Sequence, residues 1–156
     1  MAPNKLDKID KKILNILQEN GRITNAQLAN EVGLSPPPML ERVKKLEKNG
    51  IIDKYVAILN ANKIDKSTIV IVSLSLARHR IKSIDQVTHE LLKLPEILEC
   101  YHIAGEEDYL LKVVVENVHE YEKFILKKLT RISGIRKIRS HVVLSTLKYS
   151  TKIFIE

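Results

Sequence analysis

ITNAQLANEVGLSPPPMLERVKKLEKNGII, residues 23–52, is the stretch from which the rest of the chain is read. It predicts a short helix, a tight turn at Gly33-Leu34, and a second helix starting at Ser35. Thr24 and Gln27 form a capping box, hydroxyl to backbone N–H and amide back to the cap. Ser35 is expected to cap the second helix, with Pro36 at its first position, where a missing N–H costs nothing. Pro37 and Pro38 remain in the first turn, whose N–H groups have no intrahelical partner. Three consecutive prolines therefore start this helix, and Asn49-Gly50 supplies a left-handed stop.

At about 100° per residue, Leu40, Val43 and Glu47 share one side of the second helix, with Leu46 on its flank. Pro38, Glu41, Arg42, Lys45 and Asn49 gather opposite. Two short helices, a tight turn and a basic outer face make the helix-turn-helix pattern. The plainer alternative is a helical hairpin with a solvated Lys/Arg face, but both caps and the turn fall where DNA docking needs them.

Composition narrows the possible functions. With 156 residues, 44% hydrophobic and 29% charged, the chain can bury a core as one large domain or two small ones. A net charge of +7 and a pI near 9.4 favour a polyanionic partner. Tryptophan is absent and aromatics make up 4%, which gives little support to single-strand binding by base stacking. Cys100 is the only cysteine, so an internal disulfide and a multi-cysteine zinc site are excluded, and a reducing cytoplasm suits it. No run of eighteen apolar residues exists to cross a membrane, and MAPNKLDKIDKK lacks the apolar core of a signal peptide. The expected location is the cytoplasm of a bacterial or archaeal type of cell, on the nucleoid.

Residues 7–20 predict a first helix whose stripe, Ile9, Ile13, Ile16 and Leu17, packs on Leu28 and Val32 and on Leu40, Val43 and Leu46. Residues 51–59, IIDKYVAIL, are expected to be a strand or wing. The predicted organisation is a DNA-binding domain at 1–60, a polar linker at 61–66 (within NANKIDK), and a second domain at 67–156. There the period changes to strand (67–77), helix capped by Ser83 with Gln86, strand (97–104), strand (109–115), helix and strand (135–145), with residues 149–156 as another extended piece. In the strand at 97–104, Leu98, Cys100, His102 and Ala104 are expected on one side. The order strand-helix-strand-strand-helix-strand is the split βαβ, ferredoxin-like arrangement, so the fold class is α+β. Its open sheet face is apolar and implies a partner, most simply a second copy.

This order, and two of its motifs, resembles the Lrp/AsnC (feast/famine) family of transcriptional regulators, nearest to its leucine-responsive branch. LSPPPMLERVKKLEKNGII (residues 34–52) is similar to that family's recognition-helix signature, and GEEDYLLKVVV (residues 105–115) to its glycine-acidic turn and strand. The resemblance implies homodimers built through the sheets, octamers or discs beyond them, palindromic double-stranded DNA sites, and an amino-acid effector, leucine or another, held between subunits. It places Asp108 on the effector's α-amino group, with His102, Ile103, Ala104 and Gly105 on one wall. Ser140, His141, Val142 and Val143 would form the other wall from a neighbouring subunit. Glu107 departs from the family, which commonly has an aromatic residue there, and adds a negative charge beside the cleft.

On the recognition helix, Pro37, Pro38 and Met39 can offer only apolar contacts, such as to thymine methyls. Arg42 is the expected reader, by a bidentate guanine contact or as a phosphate clamp. Lys44, Lys45 and Lys48 neutralise phosphates, with Ser35 at the helix start. Glu41 accepts from a cytosine amino group or orients Arg42 or Lys45. GEED (residues 105–108) reads either as a solvated acidic hairpin or as the effector cleft. The five histidines, His79, His89, His102, His119 and His141, lack paired metal spacing, and Cys100 reads as core rather than nucleophile. No phosphate loop, nucleophile elbow or acid/base cluster is present, so neither an enzyme nor a cofactor is expected. The expected function is a sequence-specific, effector-responsive regulator; the alternative is an architectural DNA-binding protein of low specificity without an effector.

Overall fold

In a computed structural model, which describes residues 6–77 and 81–156, the chain divides into two compact units. One comprises the described residues up to Ile58 together with Lys148–Glu156; the other is Leu59–Leu147.

The helical unit contains α1 (Lys8–Glu19), α2 (Asn25–Val32) and α3 (Pro36–Lys48). Asp7 and Asp10 form a reciprocal capping box at the start of α1, and Thr24 and Gln27 form the expected one at α2. Gly33 (φ 84°) and Gly50 (φ 67°) adopt the left-handed conformation at the turn and at the α3 stop, where a β-carbon would be strained. Ile13, Leu14, Leu28, Ala29, Met39, Val43 and Leu46 form the buried core.

This core corrects the predicted facing of α3. Met39 is fully buried, whereas Leu40 is 36% exposed. The helix is rotated so that Met39, Val43 and Leu46 face α1 and α2, and Leu40 turns outward with Glu41 and Lys44. No strand forms at 51–59; this segment has no regular structure and is largely exposed, with Tyr55 donating from its hydroxyl to Glu47 Oε1 at 3.1 Å. The C-terminal segment also departs from the predicted boundary, since it packs on α1 and not with the sheet unit. Gln18 exchanges two hydrogen bonds with the Ile153 backbone (3.1 and 2.7 Å), Lys152 pairs with Glu19, and Ile155 packs against the helical core.

The sheet unit runs β1 (Thr68–Leu76), α4 (Ile81–Leu92), β2 (Ile97–His102), β3 (Tyr109–Val115), α5 (Val118–Lys127) and β4 (Ile135–Val142), in the antiparallel order β2-β3-β1-β4. This is the ferredoxin-like topology. Val70, Val72, Leu74, Leu76, Tyr109, Leu111, Val113 and Val115 pack beneath Val87 and Leu91 of α4 and Tyr121 and Phe124 of α5. α4 begins two residues before Ser83, so Ser83 lies inside the helix and is not its cap. The expected alternation in β2 fails at one place. The β2–β3 register shifts between Ile97 and Glu99, as a bulge does, and both Ile97 and Cys100 pack on the core while Leu98 is left 62% exposed.

Candidate DNA-binding and effector sites

The outer face of α3 follows from its buried one. Opposite Met39, Val43 and Leu46 lie Pro37, Glu41, Lys44, Lys45 and Lys48, with Leu40 on the flank, all exposed. None of these lysines is ion-paired among the described residues. Pro38 is exposed as well, but Met39 is buried and cannot touch a base edge.

Arg42 does not lie with the lysines. Its Nη1 donates to Asp7 Oδ2 and Asp10 Oδ1, each at 2.7 Å, which turns the guanidinium toward the start of α1. The Asp10 backbone N–H, and then Arg42, hold the Asp7 carboxyl below its ordinary range, while Asp7 and Asp10 raise Arg42 further. Glu41 bonds to neither Arg42 nor Lys45, so an orienting role for it has no support. Ser35 occupies the cap position but makes no side-chain cap bond. The reason is chemical: a capping oxygen accepts from the second or third helical N–H, and prolines hold both positions.

In the sheet unit, residues 103–108 form a tight turn closed by the Ile103 N–H on the Asp108 carbonyl (2.9 Å). The Asp108 side chain already has a task. β3 ends its pairing with β1 at Leu74–Tyr109, and beyond that point Asp108 Oδ2 accepts the Leu76 N–H at 2.7 Å in place of a ladder bond. Oδ1 has no protein partner among the described residues. Gly105 has no positive φ, and a β-carbon there would meet nothing within 4 Å. Among the described residues nothing packs against the glycine, and the space beside it is open.

Glu107 is 18% exposed and accepts from Arg139 of β4 at 2.5 Å. The negative charge expected beside the cleft is thus balanced from within the chain. His102 tilts against Tyr109, ring centroids 5.2 Å apart. Ile103 is half-buried, and Ala104 is exposed. The second predicted wall is not brought to this turn within one chain. Ser140 accepts from the Tyr121 hydroxyl at 2.5 Å, and His141, Val142 and Val143 run along β1 toward Ile69, roughly 17 Å from Leu74 at the strand rise. Among the described residues no group of three or more His, Cys, Asp or Glu side chains could hold a metal ion, and no helix is long and apolar enough to cross a membrane. His79 lies outside the described residues.

Residues 69–153 match the family described as Lrp/AsnC ligand binding domain, and residues 6–53 that of winged helix-turn-helix DNA-binding. The chain belongs to the Lrp/AsnC family. It is 42% identical to the leucine-responsive regulatory proteins of Klebsiella pneumoniae and Escherichia coli K12, over 97% of this chain and 92% of theirs. Among solved structures it is similar to a Neisseria meningitidis transcriptional regulator in complex with L-Met, at TM-score 0.91 and 35% identity, covering 96% of each chain. An Agrobacterium tumefaciens AsnC-family regulator superposes at TM-score 0.90 with 36% identity, covering 95% of this chain and 96% of that one. This Lrp/AsnC chain is therefore a transcriptional regulator with a helix-turn-helix DNA-binding unit and a ligand-binding unit, in a family of regulators and not of enzymes.

Two residues that shape the Lrp/AsnC sites escaped sequence reasoning. Leu40 carried a usable signal: its neighbour Met39 keeps the i, i+4, i+7 spacing with Val43 and Leu46, whereas Leu40 lies six residues from Leu46, off that face. Arg139 carried only a weak one, the basic alternation Arg136, Lys137, Arg139 on a strand.

Proposed function

We propose that this chain is a sequence-specific regulator whose DNA affinity responds to an amino acid bound at the turn 103–108, between subunits of a homo-oligomer. What supports this is the turn itself: an open space at Gly105 and an Asp108 oxygen with no partner among the described residues, in a family with a ligand-binding domain. An α-ammonium group suits that oxygen. Leucine and methionine head the effectors to test, given the names of the similar proteins. Lys44, Lys45 and Lys48 supply phosphate contacts, and Ser35, with no cap bond to make, can add a hydroxyl. The helix-free sheet face, with Ile69, Ile71, Leu110 and Val114, is the expected dimer surface, and octamers would assemble beyond it.

The test combines a thermal-shift panel of the twenty amino acids with sizing chromatography, because a ligand stabilises the state it binds. At least one amino acid should raise Tm or change the assembly. Asp108→Asn is the informative variant: its amide oxygen still accepts from Leu76 N–H while the charge is removed. It should abolish the response and leave assembly intact; an unchanged response overturns the effector site.

One observation favours a second reading, an architectural protein of low specificity. With Arg42 held by Asp7 and Asp10, the cations left on α3 are lysines, which bind phosphates as point charges. That reading expects nearly equal affinity for a selected duplex and for random DNA at the same salt, and a silent amino-acid panel.

A further inference from the structure

The first two turns of α3 offer an unusual set of groups to a DNA groove. Pro36, Pro37 and Pro38 have no amide N–H, and the first available one, of Met39, is bonded to the Ser35 carbonyl at 3.3 Å. The helix start therefore has no free amide for a phosphate. Met39 is buried and Arg42 is turned to α1. What remains outward is the three prolines, Leu40 and Glu41, followed by Lys44, Lys45 and Lys48.

Bidentate reading of guanine needs Arg or Lys in reach of O6 and N7, and reading of adenine needs Asn or Gln. No Asn or Gln occurs in α3, its one Arg is engaged, and Lys44, Lys45 and Lys48 come about two turns or more after the helix start, past the N-terminal residues that meet base edges. A carboxylate at Glu41, with no ion pair among the described residues, repels the acceptor edge of guanine. The major-groove feature that an exposed leucine can recognise is the thymine C5-methyl group. Leu40 is 36% exposed in the part of the helix that meets base edges. Flanking lysines anchored on phosphates would hold it against the bases.

We infer that Leu40, supported by Pro37, reads thymine methyl groups in the major groove, and that α3 makes no purine N7 contact. This rests on the DNA-binding reading above and adds the chemical feature of the site that α3 recognises.

The experiment uses the full chain to select a duplex from a random pool, then resynthesises that duplex in two forms. One carries deoxyuridine for thymidine, which removes only the methyls; the other carries 7-deazaguanine, which removes only N7. Each lost methyl contact should weaken binding about fourfold, and 7-deazaguanine should leave affinity unchanged. Leu40→Ala, on the surface and so expected to fold, should bind the thymidine duplex as weakly as the native chain binds the deoxyuridine one, and should be indifferent to the exchange. Loss of affinity with 7-deazaguanine, or equal deoxyuridine sensitivity in native and Leu40→Ala protein, overturns the assignment. Failure to enrich any duplex would instead count against sequence-specific binding itself.

Discussion

Each unit contains an arginine held by carboxylate from a distant part of the chain, and the two pairings have opposite consequences. In the helical unit Arg42 is spanned by Asp7 and Asp10, which takes its guanidinium off the lysine face proposed to meet DNA. In the sheet unit Arg139 reaches Glu107, which sets a cation beside the proposed effector turn and balances the charge that Glu107 brings. One pairing removes a reader from a site; the other adds a group to one. A charged residue's role is thus decided by which face its partner lies on, and not by its type.

The sharpest break of this comparison lies between two adjacent residues of α3. Met39→Ala opens a cavity in a fully buried position and should lower stability by about 2–5 kcal/mol in urea unfolding. Leu40→Ala should change stability by no more than about 0.5 kcal/mol and act on DNA binding alone. Similar stability losses for the two would mean that α3 is rotated as its hydrophobic pattern first suggests, and Arg42 would return to the DNA face.

That pattern shows where sequence was sufficient and where it was not. The capping box at Thr24 and Gln27, the left-handed Gly33 and Gly50, the strand-helix order and the outward lysines are all set by neighbours within four residues, and all were legible. The facing of α3 was misread although its signal was present, because Met39 keeps the i, i+4, i+7 spacing with Val43 and Leu46 and Leu40 does not. The β2 alternation failed for a different reason: the bulge around Leu98 is settled by the register with β3, which no local pattern records. Partners 32 or more positions apart, Asp7 and Asp10 with Arg42 and Glu107 with Arg139, leave no local trace. Nor does the return of Ile153 to Gln18, 135 positions away.

The Arg42 cluster should show itself in acid. The folded-state pKa of Asp7 lies below its ordinary 3.8. Its stabilising effect is therefore present above that pH and is lost as pH falls through the lowered value. Urea midpoints measured from about pH 5 to about pH 2.5 should fall in the native chain and fall less in Arg42→Ala. A double-mutant cycle of Arg42→Ala with Asp10→Ala should give a coupling of about 0.5–1 kcal/mol, the upper range for a pair that keeps some exposure. Arg42→Ala should also retain the preference for a selected duplex over random DNA. Loss of that preference with no coupling to Asp10 would make Arg42 a base reader after all.

The smallest effect belongs to the other arginine. If Arg139 faces the effector, Glu107 competes with the effector's carboxylate for it. Glu107→Gln removes that competitor and should tighten binding of a neutral amino acid by about twofold to fivefold in calorimetry, the range set by an exposed ion pair. Arg139→Gln should weaken binding by a similar factor, because Glu107 is then left to repel the carboxylate. Opposite signs in the two variants place Arg139 at the ligand. Equal weakening of both would make the pair a strut that shapes the turn, as Arg42 with Asp7 and Asp10 braces the start of α1, and the contrast between the two units would disappear.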